Sequence, residues 1–205
     1  MQTFDHISEF QLDAFVEIGS IGAGNGATAL SQLMERKIGM SVPAVKILPF
    51  AEVPYEVGGP EALVTGIFTS VEGHAPCNIL FLFPIKSAKF LADKMLEADG
   101  YYEETIAEMG KSALAELANV VTGAYLNSLS SFTNLDFIPS VPALAIDMAG
   151  AILDTVLAQI GVAGDHALLL TTVFTETEEN VAGHFFLLPA AGSLEKILCS
   201  IGVKV

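Results

Sequence analysis

The chain has 205 residues, is 52% apolar and only 16% charged, and carries a formal net charge of −15. That acidity excludes nucleic-acid binding through phosphate contacts, and no apolar run reaches the roughly eighteen residues that a membrane helix needs. Two isolated cysteines, Cys77 and Cys199, with no CxxC pair, exclude a disulfide framework; each is expected as a small core residue. An N-terminus bearing Asp5, Glu9 and Asp13 does not resemble a signal peptide, and a cytoplasmic location is expected.

In chain order, helical spacing predicts a long helix over 9–36, a strand over 42–48 and a loop rich in Pro, Gly and Glu over 52–61. Two β-rich runs follow, 63–72 and 78–83, joined at Glu72-Gly73-His74 and stopped by Pro84, and a short amphipathic helix over 87–98 closes the half. The order then restarts: a helix over 104–132, a strand over 141–146, a helix over 148–160 ended by Gly161, β-rich runs over 166–176 and 182–188 stopped by Pro189, and a helix over 193–201. Each half offers one long polar-faced helix and a few strands, too little for a core of its own. The expectation is a single domain over 1–205 built from two repeats, about 9–100 and 104–205. Its fold class is α/β of the α+β type, with pseudo-two-fold symmetry and an antiparallel sheet carrying both long helices on one side.

The repeat is legible residue by residue at a constant offset of 99, Glu17 to Glu116. Asp13-x-x-x-Glu17-x-x-Ser20 answers to Ser112-x-x-x-Glu116-x-x-Asn119, and the match continues through Gly24 and Gly123, Leu30 and Leu129, and the Ser-Val-Pro triplets ending at Pro43 and Pro142. Residues spaced four, three and four apart stack on one helix face. Ser112, Glu116, Asn119 and Gly123 therefore form one polar stripe, while Leu114, Leu117, Ala118, Val121, Tyr125 and Leu129 supply the packing side. In the first copy the stripe is Asp13, Glu17, Ser20 and Gly24, with Phe15, Ile18, Ile21 and Leu30 left to pack. A Glu and an Asn on such a face are ordinary surface residues when they occur once. A solvated face tolerates any polar residue, however, and this one repeats.

Ser or Asp, three residues, Glu, two residues, Asn, twenty-two residues, Pro resembles the signature of the CheC, CheX and FliY phosphatases, which act on the phosphorylated response regulator CheY. Ser112, Glu116, Asn119 and Pro142 match at every position, and Asp13, Glu17 and Pro43 match with Ser20 in place of the Asn. The chain is most similar to CheC-like members. The resemblance implies that Glu116 grips the receiver domain's lysine and Asn119 orients water beside the aspartyl phosphate. It implies partner contacts by Ser112, Gly123 and Asp13, and Mg²⁺ supplied by the receiver, with no metal site of the chain's own. It also implies a degraded first site at Glu17 and Ser20, because a hydroxyl cannot present a donor and a carbonyl acceptor on one planar group. A helix near 148–160 in CheC-like proteins helps bind the deamidase CheD, which makes Asp147 and that helix an expected partner surface. The alternative is a mainly non-catalytic regulator or scaffold for CheD or the flagellar switch.

Three other patterns are read as structural. Gly22, Gly24 and Ala27 fit the dinucleotide fingerprint G-x-G-x-x-A, but helical spacing before them, rather than a strand, argues for glycines that admit a neighbouring helix or partner. His6, His74, His166 and His184 have no metal-ligand spacing, and His184 is expected as a hydrogen-bonded sheet residue. Glu176, Glu178 and Glu179 are expected at a solvated hairpin tip.

Overall fold

The computed structural model describes residues 9–97, 106–160, 166–176 and 179–202. Helix α1 (Glu9–Leu33) leads into strand β1 (Ile38–Pro49), a 3₁₀ turn (Phe50–Glu52) and a single helical turn α2 (Val53–Glu56); β2 (Leu63–Gly73), β3 (Cys77–Pro84) and α3 (Ile85–Met95) follow. The second half runs α4 (Glu108–Thr133), β4 (Phe137–Pro139), β5 (Ala143–Met148), α5 (Ala149–Ile160), β6 (His166–Glu176), β7 (Glu179–Pro189) and α6 (Ser193–Ser200). Part of the region read as a loop over 52–61 is thus a helical turn, with Val53 and Pro54 buried in it. The ends of both repeats, Gly161 and the Glu178 of the acidic tip lie outside the described residues.

One antiparallel sheet takes strands from both halves in the order β1-β6-β7-β3-β2, with β4 and β5 both paired to β2. In the sheet, β1, β2 and β3 of the first half answer to β5, β6 and β7 of the second, and Pro84 and Pro189 each close the last strand of a half. The ladder pairs Leu80 with Phe186 and Phe81 with Phe185. The strand order is thus symmetric about the antiparallel β3–β7 pair, and a pseudo-two-fold axis stands normal to the sheet between these two strands. Such an axis reverses every direction within the plane, so α1 and α4, which share one face, run antiparallel.

Alternation along the strands divides the core in two. Ile79, Phe81, Phe83, Leu168, Leu170 and Phe185 face α1, α3, α4 and α6. Leu80, Leu82, Leu169, Phe186 and Leu188 face α5, α2 and the end of β1. The Ser-Val-Pro triplets have a shared local role: β1 shifts register between Ser41 and Ala44, and its equivalent is broken into β4 and β5 across 140–142. Proline has no N–H to give to a ladder, so it interrupts pairing at both places.

Two sequence expectations need correction here. Cys77 is buried in the core, but Cys199 is exposed on the outer face of α6, since the helical period there turns Leu194, Ile197 and Leu198 inward instead. His184 is buried as expected, yet its Nδ1 has no hydrogen-bond partner; its position in β7 faces an apolar layer, beside the Phe186 ring.

Candidate functional site: two exposed helical stripes

Helices α1 and α4 pack against each other and jointly cover the centre of one sheet face. Their close approach depends on glycine. A Cβ on Gly22 would lie 2.7 Å from the Tyr125 ring of α4, whereas one on Gly26 would press at 3.3 Å on the sulfur of Met40 in β1. The Tyr125 ring stacks in turn on Phe185, with centroids 4.6 Å apart. Across the same seam the Asn25 side-chain amide donates to Ser128 Oγ at 3.0 Å. The sequence Gly22-Ala23-Gly24-Asn25-Gly26-Ala27 thus lies inside a continuous helix and serves packing; among the described residues no strand precedes it.

With those faces spent on packing, the opposite faces are left to solvent. Leu114, Leu117, Ala118, Val121, Tyr125 and Leu129 are all buried, as are Phe15, Ile18 and Leu30, while Ile21 is half-buried. Ser112, Glu116 and Asn119 are exposed, and so are Asp13, Glu17 and Ser20. Among the described residues neither Glu116 nor Asn119 has a hydrogen-bond or ion-pair partner. The carboxylate and the amide are spaced three residues apart, so they sit side by side about one turn apart on the same face.

Gly123 and Gly24 end the two stripes on bare backbone. A Cβ at either position would meet nothing within 4 Å. Unlike Gly22, they are not required by packing within the chain, although a mid-helix glycine costs about 0.5–1 kcal/mol relative to alanine.

The interior offers no competing chemistry. The cavity beneath the helix pair holds only about 30 Å³ and is lined by apolar residues such as Phe15, Ile18, Leu126 and Leu170, with Tyr125 at its edge. Burial pushes the Cys77 thiol up to about 12 and the Tyr125 phenol up to about 12, so both stay protonated and unreactive at neutral pH. Burial likewise holds the His184 imidazole below its ordinary value. Among the described residues no group of three or more His, Cys, Asp or Glu side chains is gathered for a metal ion, and no helix is long and apolar enough to cross a membrane.

Asp147 lies apart from the stripes. It is exposed at the end of β5, and its Oδ1 accepts a hydrogen bond from the Met148 N–H at 2.7 Å, just before α5 begins. Two crevices, about 350 and 210 Å³, flank β5 on its two faces. The sequence reading overlooked two residues of the stripe face. Phe10 and Met109, each three residues before Asp13 and Ser112, are 71% and 69% exposed, and the 3-4-3-4 spacing that defines the stripes already contains them.

The CheC-like family model matches residues 10–47 and 109–146, the two helix–strand units that carry the stripes. The CheY-P phosphatase CheC of Bacillus subtilis (strain 168) is 35% identical over 209 residues, covering the whole of both chains. Thermotoga maritima FliY has a similar crystal structure, with a TM-score of 0.74 at 21% identity over 96% of this chain and 98% of that one. A chain in the crystal structure of a CheX–CheY–BeF₃–Mg²⁺ complex from Borrelia burgdorferi is similar as well, with a TM-score of 0.52 at 16% identity over 85% of this chain and 99% of that one.

Proposed function

Because the chain belongs to the CheC-like family, we propose that it hydrolyses the aspartyl phosphate of a CheY-type receiver domain, with Glu116 docking the receiver and Asn119 orienting the attacking water. The observation that carries this reading is the α4 stripe: a carboxylate and an amide, exposed on one face, without partners among the described residues. Glu116 offers an acceptor to the receiver's lysine. The Asn119 carbonyl accepts a hydrogen bond from the water while its NH₂ donates one toward the phosphoryl oxygens or the water itself. Water attacks phosphorus as the bond to the aspartyl oxygen breaks, and the carboxylate leaves on the receiver. An acyl phosphate asks for little beyond positioning and charge stabilisation. The receiver holds the Mg²⁺ and the lysine, so the chain adds only the stripe. Ser112 and Gly123 border the docked surface. The chain acts as one domain in the cytoplasm.

The α1 stripe keeps Asp13 and Glu17 but has Ser20 where the amide is needed. We assign it a docking capacity with little or no catalysis. A second reading, a regulator that binds CheD through Asp147 and α5, is favoured by one asymmetry: α5 has 12 residues, whereas the α2 helix in the corresponding place has four.

Steady-state hydrolysis of CheY-P separates the roles. Asn119→Ala is expected to lower kcat by about 100-fold, the scale of losing one positioned polar group, whereas Glu116→Ala chiefly raises KM. Both side chains are exposed and unpartnered, so thermal stability stays at the wild-type value. Unchanged kcat in Asn119→Ala would refute the catalytic assignment; an inactive wild type that binds CheD would favour the regulator.

A further inference from the structure

We propose that Met109 is a docking residue for the receiver domain at the α4 stripe, and that Phe10 does the same at the α1 stripe; this rests on the reading that the stripes engage a receiver. Met109, Ser112, Glu116, Asn119 and Gly123 follow the spacing 3-4-3-4, as do Phe10, Asp13, Glu17, Ser20 and Gly24. Each stripe therefore starts with a large apolar side chain on the same face as its polar groups. At 69% and 71% exposure these side chains contribute little to the core. The other equivalent exposed pair on these helices, Leu33 and Phe132, both 46% exposed, falls outside the spacing.

The first stripe has lost the amide and kept the apolar head. Catalysis and docking thus separate within this one chain: Ser20 departs while Phe10, Glu17 and Gly24 remain. Met109 lies seven residues from Glu116, roughly 10 Å along the helix at about 1.5 Å per residue. An ordinary protein interface of about 800 Å² per partner spans more than that, so a receiver centred on Glu116 and Asn119 covers Met109. With a net charge of −15, the chain gains no long-range attraction for an acidic receiver. Burial of a methionine supplies affinity that does not depend on charge.

The test compares Met109→Ser with wild type in CheY-P hydrolysis, and in equilibrium binding to BeF₃⁻-activated CheY by fluorescence anisotropy. The expected result is a roughly tenfold rise in KM and Kd, with kcat unchanged, since binding lost equally from ground and transition states leaves kcat alone. In a Glu116→Ala background, where docking at the α4 stripe is weakened, Phe10→Ser is expected to weaken the residual binding further. Unchanged KM and Kd in Met109→Ser would overturn the proposal, as would a fall in kcat alone. A concentration-dependent dimer that Met109→Ser dissociates, with CheY binding unaffected, would overturn it in favour of self-association. A wild type that neither binds nor accelerates CheY-P fails at the preceding step and refutes the phosphatase reading itself.

Discussion

Ser20 and Asn119 occupy equivalent turns of α1 and α4, and they differ in what they can offer a water molecule. The asparagine amide holds a donor and an acceptor in one plane; the serine hydroxyl is shorter and rotates freely. Ser20 is exposed, so Ser20→Asn introduces no steric conflict. On the reading proposed above, it is expected to raise phosphatase activity up to about twofold, measured as initial phosphate release from CheY-P at equal protein concentration, by completing a second site. Gly123 carries a separate prediction. Nothing lies within 4 Å of a Cβ there, so Gly123→Ala should stabilise the fold by about 0.5–1 kcal/mol in urea unfolding while weakening CheY-P binding, because the methyl stands where the partner's surface approaches. The stripe residues were legible in the sequence because the duplication supplied a second copy against which to compare them. Met109 and Phe10 were not, since an apolar residue on a helix is ordinarily assigned to the packing side.

At the level of the elements, the seam between α1 and α4 determines which faces are free. Gly22 lets the helices approach closely enough for the Tyr125 ring to lie over α1. Gly22→Ala puts a methyl 2.7 Å from that ring, and overpacking of this kind is expected to cost about 1–3 kcal/mol of stability by urea unfolding, the opposite sign to Gly123→Ala. The two glycines look alike in sequence; only the structure tells the packing glycine from the open one. Strand and helix order were readable from periodicity and proline, down to the stops at Pro84 and Pro189. The α2 turn was not, because Val53-Pro54-Tyr55-Glu56 is too short to show a helical period, and proline at the start of a helix looks like proline in a loop. The exposure of Cys199 was hidden by the apolar composition of α6, whose inward face is set by three other residues.

Across the whole molecule, each half contributes its first strand to the other half's side of the sheet: β1 pairs with β6, and β4 and β5 pair with β2. This exchange is what the short repeats imply, since neither half could bury its own strands. The pairing itself was not legible, because alternation fixes which residues face inward but not which strand lies alongside. The symmetry also presents both stripes on the same side of the molecule, antiparallel to one another, so both face the same solution. The charge of −15 acts at this scale as well. Like-charged partners associate faster when salt screens their repulsion, so the on-rate for CheY is expected to rise with ionic strength between about 0.01 and 0.15 M, measured by stopped-flow fluorescence.

The most direct measurement is single-turnover loss of phosphate from CheY-P in the presence of wild type, Asn119→Ala and the double variant Ser20→Asn/Asn119→Ala. The account predicts that Asn119→Ala abolishes the acceleration and that moving the amide to the α1 stripe restores part of it. Equal rates for wild type and Asn119→Ala would contradict it.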